Sequence, residues 1–452
     1  MENLDLSPHE CVIPRLGEPQ LESPLGLSLR DGDFIANYVL DTDTVLLHSN
    51  GREIAERLAQ GLHLPAFVKA GPRPKIYFHP AKCRVAIVTC GGLCPGINNV
   101  VRSLVMELYY RYGVNEILGV QYGYSGFTKE GDLSPKRLTP EVVKSIHELG
   151  GSFLGSSRGP EDVTRIVDWL EAKDISILFT IGGDGTLHGA EDIFKEIQRR
   201  GLKKAVVGIP KTIDNDIVYV EKTFGLETAF SVATEAIRSA HTEAIGAPNG
   251  IGLVKVMGRY SGFIAANAAL ALNEVNFVLI PEVPFELEGP RGFLSVLKKR
   301  ILAKRHAVII VAEGAGQELL KEAQRACDKS GNRLLGDIGL FLKEAIASYF
   351  ASEGIEVNLK YIDPSYLVRA VPANATDAIY CMQLAQNAVH AAMAGYTGLV
   401  VGRWNGQFTL VPLALANSAR KYVSPDGELW RTVLEATGQP YAMCNRPPGG
   451  AL

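Results

Sequence analysis

Short apolar runs alternate with segments of helical periodicity along most of this chain, beginning at Arg84. The apolar runs are RVAIVTC (84–90), ISILFTI (175–181), KAVVGI (204–209), GIGLVKVMG (250–258), NFVLIPE (276–282) and HAVIIVAEG (306–314). Helices are predicted to begin at about Asn98, Leu187 and Glu227. Continuous apolar strands separated by helices are typical of parallel sheets that are covered on both faces. The pattern therefore predicts an α/β fold with mainly parallel sheets.

Glycine-rich or charged loops follow five of the predicted strands. They are CGGLCPGIN (90–98), GGDGTLHGA (182–190), PKTIDND (210–216), MGRYSG (257–262) and AEGAGQ (312–317). Ligands of open α/β sheets bind outside the carboxyl ends of the strands. The N–H groups of a glycine loop and the following helix N-terminus suit a phosphate, although a tight turn also uses glycine for steric reasons. The first two loops match neither the Walker pattern nor G-x-G-x-x-G, which gives no direct support to a P-loop or dinucleotide site.

The carboxylates in these loops predict metal binding and proton transfer. Asp184 lies among the amides of a phosphate loop, where it would repel the ligand unless a cation bridged the two. Mg²⁺ commonly takes one or two carboxylates together with phosphates and waters. Asp214 and Asp216 are candidates for a second metal anchor or for a base, since an acceptor hydroxyl loses its proton during phosphoryl transfer.

Basic residues near the loops suit an anionic substrate. The candidates for neutralising a transferred phosphate are Lys211, Arg158 and Arg259. Any one of them taken alone is more often a surface or structural cation. The candidates for binding a sugar and its phosphate are Glu313, Lys360, Tyr366 and Arg369. Carboxylates accept hydrogen bonds from sugar hydroxyls, whereas arginine and lysine bind phosphate.

Composition narrows the class of protein. The chain has 452 residues, 46% of them hydrophobic, and a formal net charge of −3. This balance gives no general reason to bind nucleic acid or an anionic membrane, so small molecules are the expected partners. Seven cysteines without a C-x-x-C pair argue against a disulfide framework or a zinc site. Because no signal-peptide or membrane-spanning pattern is evident, we expect a cytoplasmic location.

Eight motifs, taken together and in this order, resemble those of the 6-phosphofructokinase family, specifically its plant-like long-chain ATP-dependent branch. They span about residues 70–403 and are TCGGLCPGINNVVRSL, IGGDGTLHGA, PKTIDNDI, GIGLVKVMGRYSGFIA, IPEVPF, AEGAGQ, KYIDPSYLVRA and AGYTG. The resemblance implies two similar three-layer α/β domains with mainly parallel sheets and an active site in the cleft between them. It also implies transfer of the ATP γ-phosphoryl group to the 1-hydroxyl of fructose 6-phosphate, with Mg²⁺ as the cofactor.

The resemblance further implies a division of the chain and an assembly. Residues 1–80 would form an N-terminal extension of modest structure, and residues 421–452 a C-terminal segment. Residues 81–225 with 370–420 would form the nucleotide-binding domain, and residues 226–369 the sugar-phosphate-binding domain. A homotetramer is expected, with a homodimer as the alternative.

Site roles follow from the resemblance by matched position. The catalytic positions are Asp214 as the base, Asp216 as its support, Arg259 and Lys211. The ATP-binding positions are Gly92, Arg158, Gly185, Thr186 and Gly189, and the metal position is Asp184. The substrate-binding positions are Thr212, Asp214, Met257, Gly258, Arg259, Glu313, Lys360, Tyr366 and Arg369. Lys360 and Tyr366 replace an arginine and a histidine of the bacterial pattern, which keeps a cation and a hydrogen-bonding aromatic ring.

Two departures from the family patterns affect the interpretation. Gly250 stands where the short bacterial enzymes carry a phosphate-binding arginine, so Lys211 or another basic residue is expected to compensate, with Lys255 the weaker candidate. Gly185 leaves room for a nucleotide α-phosphate, where pyrophosphate-dependent members generally carry aspartate. Lys211, however, is shared with those members. The alternatives are a pyrophosphate-dependent phosphotransferase and a non-catalytic regulatory subunit of the same fold.

Overall fold

The strands and helices of this chain are seen in a computed structural model that describes residues 5–129, 133–320 and 334–445. Within these ranges the strands are β1 (Leu21–Glu22), β2 (Thr44–Leu46), β3 (Ala66–Lys69), β4 (Lys75–Ile76), β5 (Arg84–Thr89), β6 (Glu116–Val120), β7 (Lys136–Arg137), β8 (Ile177–Gly182), β9 (Ala205–Pro210), β10 (Gly250–Val256), β11 (Phe277–Leu279), β12 (His306–Ala312), β13 (Asn358–Ile362), β14 (Leu399–Trp404) and β15 (Gln407–Pro412).

Fourteen α-helices, several of them single turns, accompany the strands in the described ranges. They are α1 (Gly51–Ala59), α2 (Ile97–Met106), α3 (Ser125–Thr128), α4 (Pro140–Val143), α5 (Val163–Ala172), α6 (Asp184–Arg199), α7 (Leu226–Ile245), α8 (Phe263–Leu272), α9 (Phe293–Lys304), α10 (Ile338–Ser352), α11 (Leu367–Ala370), α12 (Ala375–Met393), α13 (Leu413–Ala416) and α14 (Glu428–Thr437). A π-helical stretch, Glu107–Tyr112, continues α2. No helix in the described ranges combines the length and the apolar character that a bilayer crossing requires.

A nine-stranded sheet forms the larger half of the molecule, in the order β2-β3-β15-β14-β9-β8-β5-β6-β7. Its five central strands, from β14 to β6, are parallel, and the strands at both edges are antiparallel. Buried parallel strands explain the uninterrupted apolar runs of the sequence. Each of β8 and β9 is buried along its whole length.

A second, four-stranded parallel sheet has the order β11-β12-β10-β13. One apolar cluster joins the two sheets, since it contains Val207 of β9, Ile237 of α7 and Val254 of β10, all fully buried. Helix α7 leads from the large sheet into the small one. Because a shared core fixes the sheets against each other, the loops at their facing ends can form one site.

The predicted strands are confirmed within one to three residues at most ends. The helix expected from Leu187 begins three residues earlier, at Asp184, because Gly183 serves as its N-cap. Strands β2 and β3 join the large sheet although they belong to the predicted N-terminal extension, and Trp404 Nε1 donates a hydrogen bond to Leu47 O (3.1 Å) behind them. The domain boundaries stay predictions, and residues 1–4 and 446–452 of the two terminal segments lie outside the described residues.

Candidate active site

A cleft of about 700 Å³ lies at the carboxyl ends of β5, β8, β9, β10 and β12. Most of the site residues predicted from the sequence line it. These are Gly92, Arg158, Asp184, Gly185, Thr186, Gly189, Lys211, Thr212, Asp214, Asp216, Met257, Arg259, Glu313 and Arg369. The carboxyl ends of parallel strands meet at one edge of a sheet, which explains why residues so distant in sequence converge here.

Three predicted substrate residues do not line this cleft: Gly258, Lys360 and Tyr366. Gly258 has a φ of +127°, and a Cβ atom there would lie 2.5 Å from Ser261 O, so the turn requires glycine. Lys360 is exposed on the edge strand β13. Tyr366 is 75% exposed, yet the Arg369 guanidinium lies 4.9 Å from its ring centroid. Tyr366 is therefore linked to the cleft through its contact with Arg369.

The loop after β8 turns directly into helix α6, of which Asp184 is the first residue. A carboxylate at a helix N-terminus is stabilised by the unpaired N–H groups there. Beside it, a Cβ atom at Gly185 would meet no other atom within 4 Å. One turn later, a Cβ atom at Gly189 would lie 2.7 Å from the Tyr124 ring, whose hydroxyl donates to Thr186 O (2.8 Å). Gly189 thus allows the Tyr124 ring to pack against this helix.

The loop after β9 is held by hydrogen bonds among its own side chains. The Thr212 hydroxyl accepts from Asp214 N and donates to Asp216 Oδ1, both at 3.1 Å. Asn215 between them has a φ of +54° and accepts from Thr223 N through Oδ1 (3.0 Å). The Ser261 hydroxyl donates to Asp214 O (2.6 Å) from the loop after β10. These bonds fix the Asp216 side chain and the backbone N–H and carbonyl groups of Asp214.

The carboxyl group of Asp214 has a strongly raised pKa. Burial, together with the nearby Asp216 and Glu313, raises the pKa of its carboxyl to about 8, whereas Arg259 acts in the opposite direction. Its buried Oδ1 accepts no hydrogen bond from the described part of the chain. A buried carboxylate oxygen without a partner is energetically unfavourable unless a ligand supplies the donor. Asp214 is therefore suited to take a proton from a bound hydroxyl.

Basic side chains surround Gly92 on the loop after β5. Lys211 is buried and its Nζ donates to Gly92 O (2.6 Å), while burial lowers the pKa of its ammonium group. A Cβ atom at Gly92 would lie 3.0 Å from Nη2 of Arg158 and 3.5 Å from Nη1 of Arg369. Lys211, Arg158 and Arg369 thus converge on one loop. Such a concentration of positive charge favours binding of a multiply charged anion.

Lys255 is a poor substitute for the arginine that Gly250 replaces. Its Nζ lies 3.0 Å from Asp337 Oδ2 and 2.9 Å from Asp363 Oδ2. These two carboxylates raise the pKa of the ammonium group and neutralise its charge. Among the described residues, Lys211 and Arg369 are better placed, because both line the cleft.

Asp184 and Asp216 are two carboxylates of the cleft that share one cationic partner, Arg420. Arg420 Nη2 lies 2.7 Å from Asp184 Oδ2, and Nη1 lies 3.5 Å from Asp216 Oδ2. Within the described ranges, no cluster of three or more His, Cys, Asp or Glu side chains is placed to hold a metal by itself. Mg²⁺ does not need such a cluster, because it typically combines one or two carboxylates with phosphates and waters. The donor set therefore fits Mg²⁺ bound together with a phosphorylated ligand.

Comparison with known proteins identifies the family. Residues 84–392 match the family described as PFK: Phosphofructokinase, which is more than half of the chain. The chain belongs to the phosphofructokinase family. This confirms the resemblance drawn from the eight motifs.

Two relatives of this phosphofructokinase-family chain carry the name "ATP-dependent 6-phosphofructokinase". The protein from Borreliella burgdorferi is 52% identical over 383 residues, which cover 83% of this chain and 86% of the relative. The protein from Amycolatopsis methanolica is 47% identical over 431 residues, which cover 94% of each. A crystal structure of a pyrophosphate-dependent phosphofructokinase from Marinobacter aquaeolei aligns with a TM-score of 0.64 at 20% identity, covering 79% of this chain and 91% of that one. At that identity the likeness establishes the fold, and it confirms the predicted α/β class.

Sequence reasoning missed several residues of this phosphofructokinase-family cleft, Arg420, Tyr260 and Tyr124 above all. Tyr260 lies inside the MGRYSG loop and could have been found by its position. Arg420 had no such signal, since it lies 236 positions from Asp184 and outside every recognised motif. Only the path of the chain after α13 brings it to the aspartates.

Proposed function

We propose that this chain transfers the γ-phosphoryl group of ATP to the 1-hydroxyl of fructose 6-phosphate, giving fructose 1,6-bisphosphate, with Asp214 as the general base. The observation that carries the proposal is the buried Asp214 Oδ1, which lacks a hydrogen-bond donor in the described part of the chain and lies in a cleft that also holds Lys211, Arg158 and Arg369. A base beside a phosphate-binding cation cluster suits phosphoryl transfer to a hydroxyl. Relatives named for this activity at 47–52% identity support the same reaction.

The proposed chemical step uses Asp214 as a carboxylate. The fructose 1-hydroxyl donates to Oδ1, its oxygen attacks the γ-phosphorus, and the proton passes to Asp214 as the bond to ADP breaks. The raised pKa helps Asp214 to hold this proton, while Arg259, which lowers the same pKa, helps it to be ionised beforehand. Asp216, fixed by Thr212, supports the position of the loop.

The basic cluster is proposed to stabilise the transferred phosphate. Arg158 and Arg369 lie on one side of Gly92, and Lys211 Nζ is held by the Gly92 carbonyl at 2.6 Å. Fixed cations of this kind favour a transition state in which charge is spread over phosphoryl oxygens. Lys211 is also proposed to compensate for the arginine that is absent at position 250.

Sugar recognition is proposed for strand β13, for the loops after β9, β10 and β12, and for the segment from β13 to α11. The residues concerned are Thr212, Met257, Gly258, Arg259, Glu313, Lys360, Tyr366 and Arg369. Glu313 is partly buried, and burial raises the pKa of its carboxyl, which suits hydrogen bonding to sugar hydroxyls. Arg369 lines the cleft and contacts Tyr366, so these two are proposed to act together on the 6-phosphate.

Mg²⁺ is proposed to bind with the nucleotide at Asp184, close to Asp216. When bound, the ion would neutralise charge on the β- and γ-phosphates. The nucleotide itself is proposed to lie along Gly92, Gly185, Thr186 and Gly189. Open space at Gly185 supports ATP as the donor, because an α-phosphate can approach the backbone there.

Pyrophosphate is a second candidate donor, favoured by one observation: Lys211, which the pyrophosphate-dependent members share, lies in the cleft. Assembly as a homotetramer or homodimer and a cytoplasmic location complete the proposal. A non-catalytic role is disfavoured by the intact set of Asp184, Asp214 and Asp216.

A donor-resolved assay tests the proposal. The purified chain is given fructose 6-phosphate and Mg²⁺ with either ATP or pyrophosphate, and formation of fructose 1,6-bisphosphate is measured. We expect turnover with ATP, and Asp214→Asn should lower kcat by about 10³-fold or more with near-normal KM. The matched control is Asp192→Asn, which changes another cleft carboxylate and should retain most activity. Turnover with pyrophosphate alone, or an active Asp214→Asn variant, would contradict the proposal.

A further inference from the structure

Arg420 occupies the space between two carboxylates of the candidate metal site. Its Nη2 lies 2.7 Å from Asp184 Oδ2 and its Nη1 lies 3.5 Å from Asp216 Oδ2. The three side chains are only 9–32% exposed. Two carboxylates brought together at such low exposure repel each other unless a cation lies between them. The guanidinium group supplies that cation from the protein itself.

The backbone around Arg420 is anchored independently of its side chain. Lys421 N donates to Asp216 O (3.0 Å), and Arg420 forms an antiparallel bridge with Ile217. Farther along, Val423 N donates to Glu282 Oε1 (2.8 Å), which also accepts from Gly262 N (2.9 Å). The segment therefore stays in place when the guanidinium group changes partners.

The guanidinium group also has a contact that does not depend on Asp184. Its Cζ lies 4.3 Å from the centroid of the Tyr260 ring. A cation over an aromatic face is stabilised without any hydrogen bond. Arg420 can therefore leave Asp184 while it keeps both the Tyr260 ring and Asp216.

The divalent ion and Arg420 compete for the same atoms. A metal bound to Asp184 Oδ2 would lie where Nη2 now donates, and its double charge would be repelled by a guanidinium group at that distance. We propose that Arg420 is an internal cation that neutralises Asp184 and Asp216 in the metal-free enzyme and gives up Asp184 when the divalent ion enters with its nucleotide. This inference rests on the proposed function, which places Mg²⁺ at Asp184.

In this exchange Arg420 acts as a positioning residue that changes the affinity of Asp184 and Asp216 for a divalent ion. In the absence of nucleotide it lowers the affinity of Asp184 and Asp216 for a bare divalent ion, so that metal binds with its phosphate ligand instead. Its removal leaves two uncompensated carboxylates. We therefore expect removal to tighten binding of a divalent ion alone by about tenfold, equivalent to ~1.4 kcal/mol.

The test measures Mn²⁺ binding to the full chain without nucleotide, by the electron paramagnetic resonance signal of free Mn²⁺. Arg420→Met should bind Mn²⁺ about tenfold more tightly than the parent, and Arg420→Lys should stay close to the parent because it keeps the charge. Arg420→Gln is a second uncharged variant, in case Arg420→Met does not fold. The matched control is Arg200→Met: Arg200 Nη1 lies 2.7 Å from Asp168 and 2.8 Å from Glu171, away from the cleft, so binding should not change.

Asp184→Asn separates this inference from the proposed function. Introduced into Arg420→Met, it should abolish the gain in affinity. Unchanged or weaker Mn²⁺ binding in both uncharged Arg420 variants, with binding still sensitive to Asp184→Asn, would overturn the exchange but leave the metal position intact. Mn²⁺ binding that Asp184→Asn does not change would overturn both the exchange and the proposed metal position. An equal gain in affinity in Arg200→Met would also overturn the exchange, because it would show that the gain reflects the net charge of the chain.

Discussion

Gly185→Asp tests donor selection at the start of helix α6. The change should weaken the use of ATP while leaving the folded chain and fructose 6-phosphate binding nearly unaffected. A Cβ atom at this position meets no other atom within 4 Å, so the new side chain fits without displacing a neighbour. It would extend into the cleft that Gly185 lines.

The substitution should stabilise the folded chain slightly but weaken its use of ATP. Gly185 is the second residue of the helix, where removing glycine and adding a carboxylate near the N-terminus together stabilise by about 0.5–1 kcal/mol. A carboxylate about 5 Å from a phosphate oxygen, at an effective dielectric constant of about 20, repels it by ~3 kcal/mol. That repulsion corresponds to a loss of about 100-fold in kcat/KM for ATP.

The assay compares kcat/KM for ATP, for pyrophosphate and for fructose 6-phosphate in Gly185→Asp, Gly185→Asn and Gly185→Ala. Gly185→Asn matches the size of aspartate without its charge, so it should lose much less than Gly185→Asp if repulsion is the cause. Thermal unfolding should show that the melting temperatures of all three equal or exceed that of the parent. Retained use of ATP by Gly185→Asp, or an equal loss for both substrates, would refute the reasoning.

Three further predictions concern the same cleft. Asp214→Asn, which should lower kcat by about 10³-fold or more, should also be more stable than the parent at pH 8.5. The parent carboxyl has a pKa of about 8 when folded and ~4 when unfolded, so the free energy of unfolding of the parent falls as pH rises between these two values. Urea unfolding at pH 5 and 8.5 measures this fall. Lys211→Met should lower kcat by about 100-fold with either donor, because it removes a buried cation at Gly92; unchanged kinetics would contradict the role. Gly189→Ala should destabilise by about 1–3 kcal/mol through its clash with Tyr124, and a Tyr124→Leu background should relieve the loss.

The strands, the loops that follow them and the chemistry of those loops can be predicted from the amino-acid sequence. Apolar runs such as AVVGIP become buried strands because a parallel sheet covered on both faces excludes water along the whole strand. Loops at the carboxyl ends then meet at one edge, so the strand pattern alone assigns Asp184, Asp214 and Lys211 to one site. The motifs likewise predict the family, which the family match confirms.

Contacts between atoms of different segments become visible only in the folded chain. The position of Arg420 between Asp184 and Asp216, the burial that raises the pKa of Asp214, and the ion pairs that neutralise Lys255 all depend on contacts across long stretches of chain. No local pattern encodes such contacts, because they arise from how whole sheets and connecting segments pack. Lys360 and Tyr366 match family positions in a sequence motif, yet their side chains do not line the cleft. A motif match therefore does not by itself locate a side chain.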